Sequence, residues 1–107
     1  MNAPDRLLQL IVPASQATLL SDFLLAQAAT PFFTAIEAAG FGQPHEQLDP
    51  DEQVAGAQRK VKFEIALAAT DVEHLLARLH TTLPSLTIAW RVLPVLDHGT
   101  VGRGPAR

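Results

Sequence analysis

The chain has 107 residues, enough for one domain with a single core and little surface to spare. Its net charge is −3, with 8 Lys and Arg against 11 Asp and Glu, which excludes the basic stripe of a nucleic-acid binder. There is no cysteine, so disulfides, thiolate metal sites and a cysteine nucleophile are excluded together.

Hydrophobic residues make up 48% and charged residues 18%, an apolar excess that points to an interface between subunits. Residues 1–5 are polar, contain Pro4 and read as a flexible start. Leu7 to Val12 is a short apolar run stopped by Pro13, and its length and β-branched end favour a buried strand. It is too short for a secretory leader or a bilayer span, so a cytoplasmic protein with no membrane insertion of its own is expected. Ser15 is the expected cap of a first helix running to about Ala28, with Leu19, Leu20, Phe23, Leu24 and Gln27 on one face. Thr30-Pro31 closes it. Phe32 to Ala39 alternates as a second strand, with Phe32, Thr34, Ile36 and Ala38 on one side and Phe33, Ala35, Glu37 and Ala39 on the other.

Gly40-Phe41-Gly42 breaks that alternation, and the chain then stays polar and acidic as far as Gly56. So long a loop in so small a domain is functional or disordered. Its His45 and Glu46, with Asp49, Asp51 and Glu52, supply the imidazole and carboxylates that suit a divalent metal. Their spacing matches no metal motif, and a solvated acidic loop is the plainer account. Arg59 to Leu67 is the clearest strand, Val61, Phe63, Ile65 and Leu67 facing one way and Lys60, Lys62 and Glu64 the other. Thr70 and Glu73 have capping-box spacing, opening a second helix whose stripe is Val72, Leu75, Leu76, Leu79 and Leu83. Thr87 to Leu93 is a fourth strand, with Trp90 filling core or interface, Pro94 to Leu96 extending it, and 98–107 as a flexible tail.

Strand, helix, strand, strand, helix, strand is the ferredoxin-like βαββαβ order, an α+β domain over residues 6–97 with an antiparallel sheet and two helices on one face. The other face is expected to carry Leu7, Gln9, Ile11, Phe33, Ala35, Lys62, Ala66, Ala89 and Leu93. That mixture is too apolar to be left in water, so a second subunit is expected to cover it.

Residues 36–65 resemble a PII signalling protein. Gly40-Phe41-Gly42, a loop with His45 and Glu46, then Gly56 and Lys60-Val61-Lys62-Phe63-Glu64-Ile65 follow that family's strand–loop–strand in order and spacing. The resemblance implies a homotrimer with inward-facing sheets, a small effector held between subunits, and a T-loop, here 40–58, that engages a partner. On it, Gly40, Phe41, Gly42 and Lys60 are the ligand-binding candidates. Gln43, His45, Glu46, Asp49, Asp51 and Glu52 are the partner-facing ones. The phrases Glu52 to Arg59 and Trp90 to Val95 are similar to a PII-like branch encoded beside heavy-metal efflux pumps, which implies a membrane efflux transporter as partner. Members that bind ATP carry a Gly- and Lys-rich loop after the second helix and two arginines after the fourth strand. Here Thr81 to Leu86 has neither Gly nor Lys, and Asp97-His98 stands near the place of the arginines. Ordinary ATP binding is not expected, because charge-assisted bonds of about 1.5–3 kcal/mol each are missing.

Two functions follow as expectations: a non-enzymatic PII-like regulator acting through its T-loop, or a metal-binding tolerance protein similar to the copper-tolerance trimers. An enzyme is disfavoured, since the sequence has no Cys, no Tyr and no nucleophile with a base at motif spacing.

Overall fold

A computed structural model describes residues 4–27 and 32–102. The elements are β1 (Arg6–Pro13), α1 (Ala17–Ala26), β2 (Phe33–Gly40), α2 (Pro50–Ala55), β3 (Gln58–Leu67), α3 (Ala69–Thr82) and β4 (Ala89–Pro94), with 3-10 turns at Ala14–Gln16 and His45–Gln47. The four strands form one antiparallel sheet in the order β2-β3-β1-β4. This is the expected βαββαβ arrangement with one addition, α2, set between β2 and β3.

Alternation decides which side of the sheet is buried. Leu8, Leu10 and Val12 of β1 pair with Ile65, Phe63 and Val61 of β3, and paired residues in an antiparallel ladder share a face. Against that row α1 sets Leu20, Phe23 and Leu24, and α3 sets Val72, Leu75 and Leu79, so both helices close the same side. Each such side chain, once buried, contributes about 1.5–3 kcal/mol relative to exposure. The two helices are also joined at their surface, where Arg78 Nη1 donates to Gln27 Oε1 at 2.6 Å.

The opposite face carries Leu7, Gln9 and Ile11 of β1, Lys60, Lys62, Glu64 and Ala66 of β3, and Ala89, Arg91 and Leu93 of β4. From β2 it carries Thr34, Ile36 and Ala38, which pair with Glu64, Lys62 and Lys60. The expectation that Phe33 and Ala35 lie there is corrected: they pair with Ile65 and Phe63 and so face the helices. The Phe33 ring stands 6.0 Å from that of Phe63, tilted by 50°.

Three local expectations also change. Ser15 caps nothing; it falls in the 3-10 turn, and α1 begins after Gln16. Gln16 instead accepts the Thr87 N–H at 3.0 Å, tying the entry of β4 to that of α1. The Thr70–Glu73 box does not form, because α3 starts at Ala69 behind Ala68. Leu19 is exposed, outside the buried face of α1, and Trp90 is 55% exposed, so it is no part of this chain's core. β4 is prolonged one step by Val95, whose N–H donates to the Asp5 carbonyl at 3.0 Å. The expected helix end at about Ala28 is corrected, since α1 stops at Ala26 and Gln27 is already extended. The Thr30-Pro31 stop, the first three residues and the last five of the tail lie outside the described residues.

Candidate functional site: the corner at the base of the β2–β3 arm

The four ligand-binding candidates occupy one corner of the sheet, where β2 ends and β3 begins. Gly40 pairs with Gln58 and Ala38 with Lys60, so Gly40 and Lys60 are diagonal neighbours on the open face. The Lys60 stem lies across Gly40: a Cβ at that position would come within 2.7 Å of Lys60 Cε and 3.0 Å of Cδ. Glycine therefore makes the groove in which the lysine rests. Gly42 is a different case, since its φ of +89° is a conformation that side-chain-bearing residues rarely adopt. Between them Phe41 is 73% exposed.

The other cations of the corner are engaged. Lys62 Nζ lies 3.8 Å from Glu64, whose carboxylate also accepts from Gln9 Nε2 at 2.9 Å. Among the described residues Lys60 makes no ion pair. Its ammonium, on a half-buried side chain laid across Gly40, is what the corner can offer a ligand: one positive charge next to closely approachable backbone.

The expectation of a free loop over 40–58 is corrected. The segment folds back as an arm with a 3-10 turn, the helix α2 and an inward anchor, Leu48, which is 7% exposed. Asp49 caps α2, its Oδ1 accepting the Glu52 N–H at 2.9 Å while Glu52 Oε1 accepts the Asp49 N–H at 3.1 Å. Pro50 occupies the first turn, where its missing N–H costs nothing, and Gly56 ends the helix in a left-handed conformation. Gln53 Nε2 holds the preceding turn through the carbonyls of His45 and Leu48.

Glu52 is corrected as a partner-facing residue. It is 8% exposed, and its second oxygen accepts the Arg59 N–H at 2.9 Å, with Arg59 Nε at 3.8 Å. Arg59 Nη2 reaches Asp49 Oδ2 at 3.2 Å, closing the circuit from the start of α2 to the start of β3. Gln43 is half-buried, whereas His45, Glu46, Asp49 and Asp51 are exposed. Among the described residues no three His, Cys, Asp or Glu side chains gather as a metal would require, so His45 and Glu46 stand without a third ligand.

Sequence reasoning missed Arg59 as a structural partner and read Asp49 and Glu52 by charge alone. The signal was present, since Asp-Pro-Asp-Glu is a cap residue, a first-turn proline and a reciprocal glutamate. A cleft of about 230 Å³ opens beside this circuit, between Arg59, Gln58 and the Pro13–Ser15 turn. Another, of about 170 Å³, lies between α3 and β4, walled by Leu76, Leu79, His80, Ile88 and Trp90.

Solved structures share this architecture. A crystal structure of a DUF3240 family protein from Shewanella baltica aligns with 94% of this chain and 100% of its own, at a TM-score of 0.72 and 21% identity. A putative PII-like signaling protein from Thermus thermophilus aligns over 87% of this chain and 88% of its own, with TM-score 0.61 and 15% identity. CPII, a nitrogen regulatory PII-like protein from Thiomonas intermedia solved bound to ADP, AMP and bicarbonate, aligns over 91% and 96%, with TM-score 0.63 and 15% identity. No curated protein matches the sequence. The fold is thus one with PII-like neighbours, and the sequence model described as Protein of unknown function (DUF3240) matches residues 2–102, from before β1 to beyond β4: the chain belongs to the DUF3240 family.

Proposed function

We propose that this protein is a non-enzymatic PII-like signalling protein that works as a homotrimer. It binds a small anionic effector at the Gly40–Lys60 corner, between subunits, and passes the change to a partner through the arm between β2 and β3. The observation that carries this reading is the Lys60 ammonium, held over Gly40 and unpaired among the described residues, at the root of the arm in a fold with PII-like neighbours. A membrane efflux transporter is the partner that the sequence resemblance implies.

One ammonium suits an effector of low charge better than a triphosphate. With Arg59 and Lys62 paired to carboxylates, the corner offers few charge-assisted bonds. AMP, ADP and bicarbonate, the molecules bound by the Thiomonas neighbour, are therefore the first probes, with ATP the weaker comparison. Titration calorimetry on the wild type and Lys60→Ala tests this. Binding of a low-charge anion, weakened about tenfold or more in the variant, supports the assignment, since a hydrogen bond to a charged group contributes about 1.5–3 kcal/mol. No heat with any of the four, or equal affinity in the variant, removes the site.

A further inference from the structure

Glu52 does more than cap a short helix. Its carboxylate takes the Asp49 N–H on one oxygen and the Arg59 N–H on the other, and its carbonyl takes the N–H groups of Gly56 at 2.7 Å and Ala57 at 3.3 Å. One residue thus fastens the entry of α2, its exit and the start of β3. The Arg59 guanidinium doubles the connection by reaching Asp49. The half of the arm before Asp49 has no comparable link to the sheet among the described residues; it is held by the Leu48 anchor and by Gln53, which itself belongs to α2.

We propose that the Asp49–Glu52–Arg59 circuit is a clasp that makes residues 49–59 a rigid extension of β3, so that the part of the arm able to rearrange is confined to residues 41–48. This deepens the signalling reading given above, to which it assigns the moving part, but the clasp itself needs neither effector nor partner. Gly42, at φ +89°, sits at the sheet end of that movable half, and His45 and Glu46 are carried on it. When the clasp is closed the exposed face of α2 keeps its place relative to the sheet while 41–48 moves. When it is broken the whole excursion from Phe41 to Ala57 becomes one mobile loop.

Hydrogen exchange on the full chain without ligand tests the clasp directly. In the wild type the amides of Gly56 and Arg59 are expected to exchange more slowly than those of residues 41–43. Glu52→Gln, which keeps the size of the buried group, is expected to speed exchange across 49–59 by about tenfold or more, the scale of a lost hydrogen bond to a charged group, and Arg59→Ala by about two- to fivefold, the scale of an exposed ion pair. The β1 and β3 core amides are to stay as protected as before. Val54→Ala, on an outward position of the same helix, serves as the control. Unchanged exchange in both clasp variants, or an equal acceleration in Val54→Ala, overturns the proposal. Should Glu52→Gln unfold the chain, Arg59→Ala decides alone, because its guanidinium is two-thirds exposed and leaves no buried gap. A protein that binds no effector at Lys60 leaves this result untouched, and a failed clasp leaves effector binding untouched.

Discussion

An ideal Cβ placed on Gly40 meets Lys60, whereas one placed on Gly42 meets nothing within 4 Å and is opposed only by the backbone, at φ +89°. The two glycines of Gly40-Phe41-Gly42 therefore fail differently on substitution. Gly40→Ala pushes aside the far end of a flexible side chain, which rotates away cheaply, so stability in denaturant is expected to change by less than about 1 kcal/mol while effector affinity falls with the displaced ammonium. Gly42→Ala forces a side-chain-bearing residue into a left-handed conformation and is expected to cost about 1 kcal/mol or more with no direct effect on Lys60. Paired denaturation and binding curves separate the two. These residues stand as ligand candidates through the resemblance to PII proteins, since a glycine that interrupts an alternating strand by itself marks either a turn or a close approach of another group. Asp49 and Glu52 carried a legible cap signal in Asp-Pro-Asp-Glu, but in an acidic stretch a capping carboxylate is easily read as a solvated one. The reverse error occurred at Thr70, where the same spacing sits too late in the chain. Ala68 follows β3 directly with an extended backbone and is buried, so the helix starts at Ala69 and the Thr70 hydroxyl lies inside its first turn.

At the scale of elements, strand existence was readable and strand parity was not always so. In β1 and β3 one set of alternate residues is strongly apolar, Leu8, Leu10 and Val12 or Phe63, Ile65 and Leu67, so the buried side declares itself. In β2 both sets contain an aromatic or aliphatic residue with alanines between, and only the pairing of Phe33 with Ile65 reveals which faces inward. Phe33→Ala is accordingly expected to lower stability by about 2 kcal/mol, less than for a fully buried ring because Phe33 is half-buried on an edge strand. Thr34→Ala, one residue on and facing the other way, is expected to stay within about 0.5 kcal/mol. Equal effects at the two positions, measured in the same urea series, contradict the register. The arm was read as loop for a related reason: six residues of α2 are too few to show a helical period.

For the molecule as a whole the decisive surface is the side of the sheet that no helix covers among the described residues. Across it Leu7, Ile11, Ile36 and Leu93 lie among Gln9, Lys62, Glu64 and Arg91, and Ile36 and Leu93 are about 40% exposed in the single chain. The charged residues are partly neutralised within the face, since Glu64 is shared by Lys62 and Gln9, which lowers the cost of taking that row out of water. An apolar sheet surface of this kind is more readily explained by a neighbouring subunit than by solvent, and a closed ring of copies leaves no such face exposed. The proposed trimer therefore makes a sharp prediction at Ile11, on the central strand β1 and paired with Lys62 and Ala89. A carboxylate there stays partly exposed in a lone subunit, beside the Lys62 ammonium, but is fully desolvated if another copy packs against it, and burying a charge without full pairing costs several kcal/mol. Sedimentation of the wild type at micromolar concentration is expected to give three copies, and Ile11→Asp a folded single chain with unchanged circular dichroism. A wild type that sediments as one copy, or an Ile11→Asp variant that assembles as before, shows that this face is not where the subunits meet.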